Sequence, residues 1–338
     1  MNPEDEKYSK YKLVQEMMDT VDIVKGFNPD QTRDVAQKIK SVGKLLLTGE
    51  GSSRIFPAKN AIRKNLQWGL DLQVATDGSR QAAQYDLSKF AVFCASNSGR
   101  TKEVVLLAKK LAEQGNKNRF GLTANEKTLL EEVCSETFVL TCGWEQAVAA
   151  TKSVVEQALF YESILRQIAG TVDKLDCTGL SEKLNKALTT PVDKQIITAA
   201  AKAPTIYFAG YNDGVAEELT LKTNEITRKK SDYLEGTYAV HGIEEVMDKN
   251  DIVFVVDPIE AEIAKFEEVL VKGVGLKVVA IADKDTPFET IRVPQAGELT
   301  PYLYLCAGWN VLVEIGMALG IDLDKPERAR KVGNELID

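Results

Sequence analysis

Two open α/β units in tandem, each a parallel sheet with helices on both faces, are what this sequence predicts. Three observations carry the expectation. Short apolar runs alternate with longer stretches of helical periodicity, the alternation pauses over a polar stretch and then restarts, and the glycine- and serine-rich loops fall where strands end.

The first 35 residues have helical patterning and read as an arm. Lys44–Thr48, Leu72–Ala75, Phe90–Ala95, Arg119–Thr123 and Thr137–Thr141 have the length and composition of strands. Helices are expected near residues 57–66, 101–115 and 145–168. Residues 171–200, polar and broken by Thr190-Pro191, read as a connection. Strands return at Thr205–Ala209, Ile252–Asp257 and Leu276–Ala282, with helices near 214–230, 259–272 and 301–319. The expected organisation is an arm over 1–35, a first sheet unit over 36–185 that holds an anion, a second unit over 196–323, and a charged tail over 324–338.

Composition narrows the partners. At 338 residues and 44% hydrophobic content the chain can bury two cores without staples. Five cysteines, Cys94, Cys134, Cys142, Cys177 and Cys306, include no CxxC pair, which argues against a disulfide framework and a structural zinc site. Cys94 reads as a buried small apolar residue. The polar, acidic start lacks the apolar core of a signal peptide, and no run is long enough to span a bilayer, so a cytoplasmic protein without a membrane partner is expected. A net charge of −8 with no basic cluster argues against nucleic acid. Any anionic ligand must therefore be held by local groups.

Two loops have the residues for that task. Gly49-Glu-Gly51-Ser52-Ser53-Arg54 follows the first strand, and Ser96-Asn97-Ser98-Gly99-Arg100-Thr101 follows the third. Small residues let backbone N–H groups approach an anion, hydroxyls add donors, and the next helix presents its positive end. Arg54 and Arg100 offer charged contacts.

A second constellation points to proton transfer. Glu218, Lys222 and Glu225 fall at i, i+4 and i+7 on one helix face, two carboxylates around an ammonium. Sixteen residues beyond Glu225 stands His241, the only histidine, followed by Gly242. Imidazole both donates and accepts a proton near neutral pH, and a carboxylate can carry a proton between adjacent carbons of an opened sugar. With one histidine and no carboxylate cluster at ligand spacing, no metal is expected, nor any other cofactor.

These residues resemble the sugar isomerase, or SIS, domain family. The resemblance lies in Ser96-x-Ser98-Gly-x-Thr101, in Gly51-Ser-Ser53, and in Thr141-Cys-Gly-Trp-Glu145-Gln-Ala-Val148-Ala-Ala-Thr151-Lys152. Over roughly residues 40–338 the chain is similar to the isomerase half of glucosamine-6-phosphate synthase, a tandem SIS protein. That half's Glu-x-x-x-Lys-x-x-Glu, its His-Gly sixteen residues on, and its lysine-bearing tail are echoed by Glu218, Lys222, Glu225, His241 and Asp324-Lys-Pro326-Glu-Arg-Ala-Arg-Lys331. The synthase's glutaminase domain is absent and no cysteine stands at position 2, so ammonia from glutamine is not expected here.

The resemblance implies roles. Glu225 moves a proton between C1 and C2, His241 helps open the ring from the neighbouring subunit of a homodimer, and Lys331 approaches the substrate carbonyl. Gly51, Ser52, Ser53, Arg54, Ser96, Asn97, Ser98, Arg100, Thr101 and Val148 are the implied binding residues. Two positions depart from the synthases, which have Glu where this chain has Arg100 and Ser where it has Ala150. The expected anion pocket is thus more positive than the family norm, suiting tighter phosphate binding, a second acidic group, or a sulfonate in place of phosphate. Trp144 either stacks on a sugar or packs under its loop, and packing is the expectation.

The expected activity is aldose–ketose isomerisation of a sugar anionic at its far end, such as a hexose 6-phosphate, through an enediol. The alternatives are an amino-sugar-phosphate deaminase or deglycase, in which Lys331 forms a Schiff base, and a non-catalytic sugar-phosphate sensor.

Overall fold

The apolar runs of the first half become five parallel strands in a computed structural model, which describes residues 1–336. β1 (Lys44–Gly49), β2 (Gln73–Gly78), β3 (Ala91–Ala95), β4 (Arg119–Thr123) and β5 (Glu136–Val139) pair in the order β2-β1-β3-β4-β5. The arm folds into α1 (Glu6–Ser9), α2 (Lys12–Gly26) and α3 (Arg33–Val42). α4 (Ile55–Gln67), α5 (Ser79–Ala82), α6 (Lys102–Glu113), α7 (Leu129–Val133) and α8 (Lys152–Ala169) follow the strands. β3 is buried along its whole length, as the central strand of a doubly covered sheet must be. Its Phe93 lies against Phe120 and Phe160, with ring centroids 5.2 and 5.7 Å apart. Each such aromatic pair adds about 0.5–1.5 kcal/mol beyond the area it buries.

The pattern restarts after α9 (Cys177–Thr189) and α10 (Lys194–Lys202). Residues 171–200, expected as a connection, thus hold two helices, because Leu180, Leu184 and Leu188 form a buried stripe through the polar sequence. β6 (Thr205–Gly210), β7 (Lys230–Glu235), β8 (Ile252–Val256), β9 (Lys277–Ala282) and β10 (Glu289–Arg292) form the second parallel sheet, ordered β10-β9-β8-β6-β7. Read from the other edge, this is the order of the first sheet. α11 (Val215–Thr227) follows β6, α12 (Ile263–Phe266) runs into a π-helical segment over Glu267–Val274, and α13 (Thr300–Ala318) closes the unit. In each sheet the chain reverses direction beside its first strand, between β1 and β3 and between β6 and β8. Ligands of open α/β sheets bind at such points.

Two compact units result. One comprises Met1–Val21, Ala147–Ala149 and Gly179–Glu327, and the other comprises Asp22–Gln146, Ala150–Thr178 and the chain from Arg328 onward. The arm is therefore divided. Its first part belongs with the second sheet, where Tyr8 donates to Glu314 at 2.6 Å and Asp324 accepts from the first amides of α2 at 2.9 and 2.8 Å. The tail's first residues, through Glu327, belong there too, and those from Arg328 belong with the first sheet. The tail's last two residues, Ile337 and Asp338, lie outside the described residues. No helix among the described residues is long and apolar enough to cross a membrane.

Candidate active site

In the first-sheet unit both loops expected to hold an anion stand at the reversal point. Gly51–Ser53 form a single 3-10 turn between β1 and α4, with Arg54 at the start of that helix. Gln157, buried on α8, donates to Ser53 O at 2.5 Å and holds the turn. The second loop is braced by its own hydroxyls. Ser96 Oγ lies 2.8 Å from Thr101 Oγ1 and accepts from Thr101 N, while Ser98 Oγ accepts from Arg100 N. Gly99 sits at φ +65, and a Cβ there would stand 2.2 Å from Thr128, so only glycine fits. Asn97 donates from Nδ2 to Ser153 Oγ at 2.6 Å, and its carbonyl accepts from Ala124 N and Asn125 Nδ2. The loop is a rigid cradle of donors at the head of α6.

Buried carboxylates shape the neighbouring segment. Glu145 accepts from Thr151 N at 2.7 Å and from Ser153 Oγ, and Glu156 accepts from Thr141 N, Thr141 Oγ1 and Cys142 N at 2.8, 2.6 and 2.8 Å. These bonds replace helical ones, so α8 begins at Lys152 and not near residue 145 as expected. Trp144, expected to pack under this loop, is 50% exposed. Packing fails because Glu145 and Cys142 take the inward positions on either side of it. Val148 lies in the short piece that belongs to the second-sheet unit, where Ala147 N donates to Glu16 at 3.2 Å.

The cradle is less positive than Arg100 suggested. Arg100 Nη1 lies 3.2 Å from Glu335 of the tail, so its charge is balanced. Glu50, between Gly49 and Gly51, accepts from Ser79 N at 2.9 Å. Partial burial pushes its carboxyl above the usual range, the Ser79 amide opposes that, and the negative charge of Glu103 adds to it. Glu103 stands in the first turn of α6 and accepts from Asn334 Nδ2 at 2.5 Å. Lys331 belongs to the same unit, three residues before Asn334.

The second-sheet unit holds Glu218, Lys222 and Glu225 on α11. Asp213 accepts from Val215 N at 3.0 Å and starts the helix, and Arg228, at φ 56, ends it. Arg228 also binds the start of the tail, donating to Lys325 O and Glu327 Oε1 at 2.8 and 2.7 Å. The i, i+4, i+7 face is real: Lys222 Nζ lies 3.4 Å from Glu218 Oε1 and 2.6 Å from Glu225 Oε2. Glu218 and Lys222 are fully buried, whereas the Glu225 side chain is 28% exposed. Only Glu225 offers an oxygen to the outside. His241 stands on an exposed turn after β7, and no hydrogen bond or ion pair links it to this group among the described residues.

Of the predicted residues, Glu218, Lys222 and Glu225 are in direct contact, as are Ser96, Ser98, Arg100 and Thr101 within their loop. Sequence reasoning missed Glu50, Glu103, Glu156, Ser153, Gln157, Asn334 and Glu335. Glu50 had a visible signal, being the one charged residue in a strand-end Gly-Ser turn ahead of Arg54.

No protein-family model matches the chain. Over 268 residues, 71% of this chain, it is 24% identical to the glutamine–fructose-6-phosphate aminotransferase (isomerizing) of Aeropyrum pernix, and it spans 42% of that relative's length. The C-terminal domain of glucosamine-fructose-6-phosphate aminotransferase from Francisella tularensis has the same fold, with TM-score 0.77 at 18% identity, covering 95% of this chain and 100% of that one. Tagatose-6-phosphate ketose/aldose isomerase from Escherichia coli matches with TM-score 0.77 at 16% identity over 95% and 98% of the two chains. Sheet order, the two loops at the first sheet's reversal point and these likenesses converge: the chain has the tandem two-sheet SIS fold and resembles the isomerase half of the aminotransferase.

Proposed function

We propose that the chain is an aldose–ketose isomerase for a sugar carrying an anionic group at its far end, with a hexose 6-phosphate as the first candidate. The observation that carries this reading is a buried ammonium fixed between two carboxylates, only one of which is exposed. Lys222 fixes the Glu225 carboxylate in place, and Glu225 can then take the C2 proton of an open-chain aldose and return it to C1. As C2 loses its proton O1 gains one, which gives a neutral enediol, and O2 gives up its proton as C1 is protonated, which gives the ketose. His241, supplied by a second copy of the chain, drives ring opening, and Lys331 faces the carbonyl. The loops at 51–54 and 96–101 hold the anion through N–H and hydroxyl donors.

Changing Glu225 to Gln tests the reading. Turnover should fall by a factor of about 10² or more while sugar binding persists. Solvent deuterium incorporated at C2 is the measurement, and wild-type incorporation by the Gln variant would remove Glu225 from the role. Free ammonia among the products would instead indicate a deaminase or deglycase. Binding without proton exchange would indicate a sensor.

A sulfonated sugar is the second reading, and a specific observation favours it. With Arg100 paired to Glu335, and with Glu50 and Glu103 close by, the cradle suits one negative charge better than two. A phosphate monoester carries about 1.5–2 charges at pH 7, and a sulfonate carries one. Thermal shifts with a hexose 6-phosphate and its 6-sulfonate counterpart, compared at equal concentration, separate the two.

A further inference from the structure

Asn334, Glu335 and Leu336 run antiparallel to the end of the hydroxyl loop. Lys102 N donates to Asn334 O at 3.0 Å, Leu336 N donates to Arg100 O at 2.9 Å, and Thr101 stands opposite Glu335. Two side-chain contacts secure the short ladder, Arg100 to Glu335 at 3.2 Å and Asn334 to Glu103 at 2.5 Å. The tail thus takes one of the free amides at the head of α6 and covers the loop's outer edge.

Two roles compete for Arg100. An anion ligand would turn its guanidinium toward the sugar, yet here it is committed to Glu335, the residue across the ladder. A half-exposed ion pair is weak alone, but this one closes a pair of main-chain hydrogen bonds. Lys331 lies three residues before Asn334, so chain reach keeps the two within roughly 10 Å.

We propose that Arg100 is a positioning residue: together with Glu335 it latches the tail onto the anion loop and so sets where Lys331 stands during the reaction. The latch stands on the contacts just described, and its effect on turnover rests on the isomerase reading. Selection of the anion then falls to the hydroxyls and amides of the loop, and Arg100 acts through Lys331.

The test uses the full chain with Arg100→Gln, Glu335→Gln, and the exchanged pair Arg100→Glu with Glu335→Arg. Hydrogen exchange of peptides covering residues 98–104 and 332–336 reads the latch without any substrate. Each Gln variant should exchange about 3–10-fold faster there, and the exchanged pair should return to within about twofold of wild type. Turnover should follow the same order. Affinity for inorganic phosphate, the anion probe, should change by less than about threefold in both Gln variants. A loss of phosphate affinity beyond about tenfold in Arg100→Gln, with Glu335→Gln behaving as wild type, would make Arg100 an anion ligand and overturn the latch. Unchanged exchange in every variant overturns it as well. Altered exchange with unaltered turnover in an active enzyme would refute the positioning of Lys331. If wild type turns over no sugar, the isomerase reading fails, and with it the role assigned to Lys331, while the exchange data still judge the latch.

Discussion

Lys222 and Glu225 are bonded to each other, yet changing them has different costs. Lys222→Met would leave the fully buried Glu218 carboxylate without its ammonium, and a broken buried pair costs about 3–5 kcal/mol. Glu225→Gln keeps that pair and sits at the partly exposed edge, so denaturant unfolding should show a change below about 1 kcal/mol while turnover collapses. Equal destabilisation by both would mean that Glu225 is a structural partner. Glu50 adds a pH signature. Its carboxyl is raised in the folded state, so the protonated form is favoured there, and stability falls as pH climbs from the ordinary glutamate range through the raised value. Glu50→Gln lacks that titration. The stability of this variant relative to wild type should therefore increase from pH 4 to pH 8, as followed by urea unfolding, and a flat difference would contradict the assignment. At this scale the α11 face was legible because its three residues lie within one helix. The pairing of Arg100 with Glu335 was not, since 235 residues separate them and no local pattern links them.

Helix α11 is set by what lies against it. A Cβ on Gly308 of α13 would stand 2.3 Å from Leu219, and one on Gly316 would stand 3.1 Å from the carbonyl of Ile226. Close approach of the two helices therefore depends on residues without side chains. Gly308→Ala should lower stability by about 1–3 kcal/mol, with partial recovery when Leu219 is also cut to Ala. Paired melting curves of the single and double variants check this, and simple additivity would show that the two residues do not share the contact. The elements that escaped the sequence reading have physical reasons. β7 and β10 are edge strands whose polar residues face solvent, Lys230-Ser-Asp-Tyr-Leu-Glu in the first case, so they lack the apolar run that betrays a central strand. The late start of α8 was hidden because Glu145 and Glu156 look like helix residues until their carboxylates are seen binding the loop's amides.

The restart of the fold was legible at the scale of the whole chain, since strands and helices alternate again after residue 200, but the matching strand order was not, because β7 and β10 lack an apolar run. How the chain is shared between the units was not, because contacts of the arm and the tail are long-range. Assembly gives the prediction that belongs here. If His241 serves the neighbour's site, inactive His241→Ala and Glu225→Gln chains mixed in equal amounts should regain roughly a quarter of wild-type activity, one intact site in each of the half of the dimers that are mixed. No recovery, with subunit exchange shown by mass spectrometry, would place both residues in one chain's chemistry or remove one of them from it. The divided path of the chain also matters while the protein is being made. Residues up to Thr178 leave the ribosome with β1–β5 complete, but the segment that borders the Ser96–Thr101 loop follows only after the entire second sheet. At ordinary translation speed that gap is roughly 10–30 s. During it the nascent first sheet carries its hydroxyl loop with an open edge, and the docking of Asn334–Leu336 must wait until β6–β10 have been made.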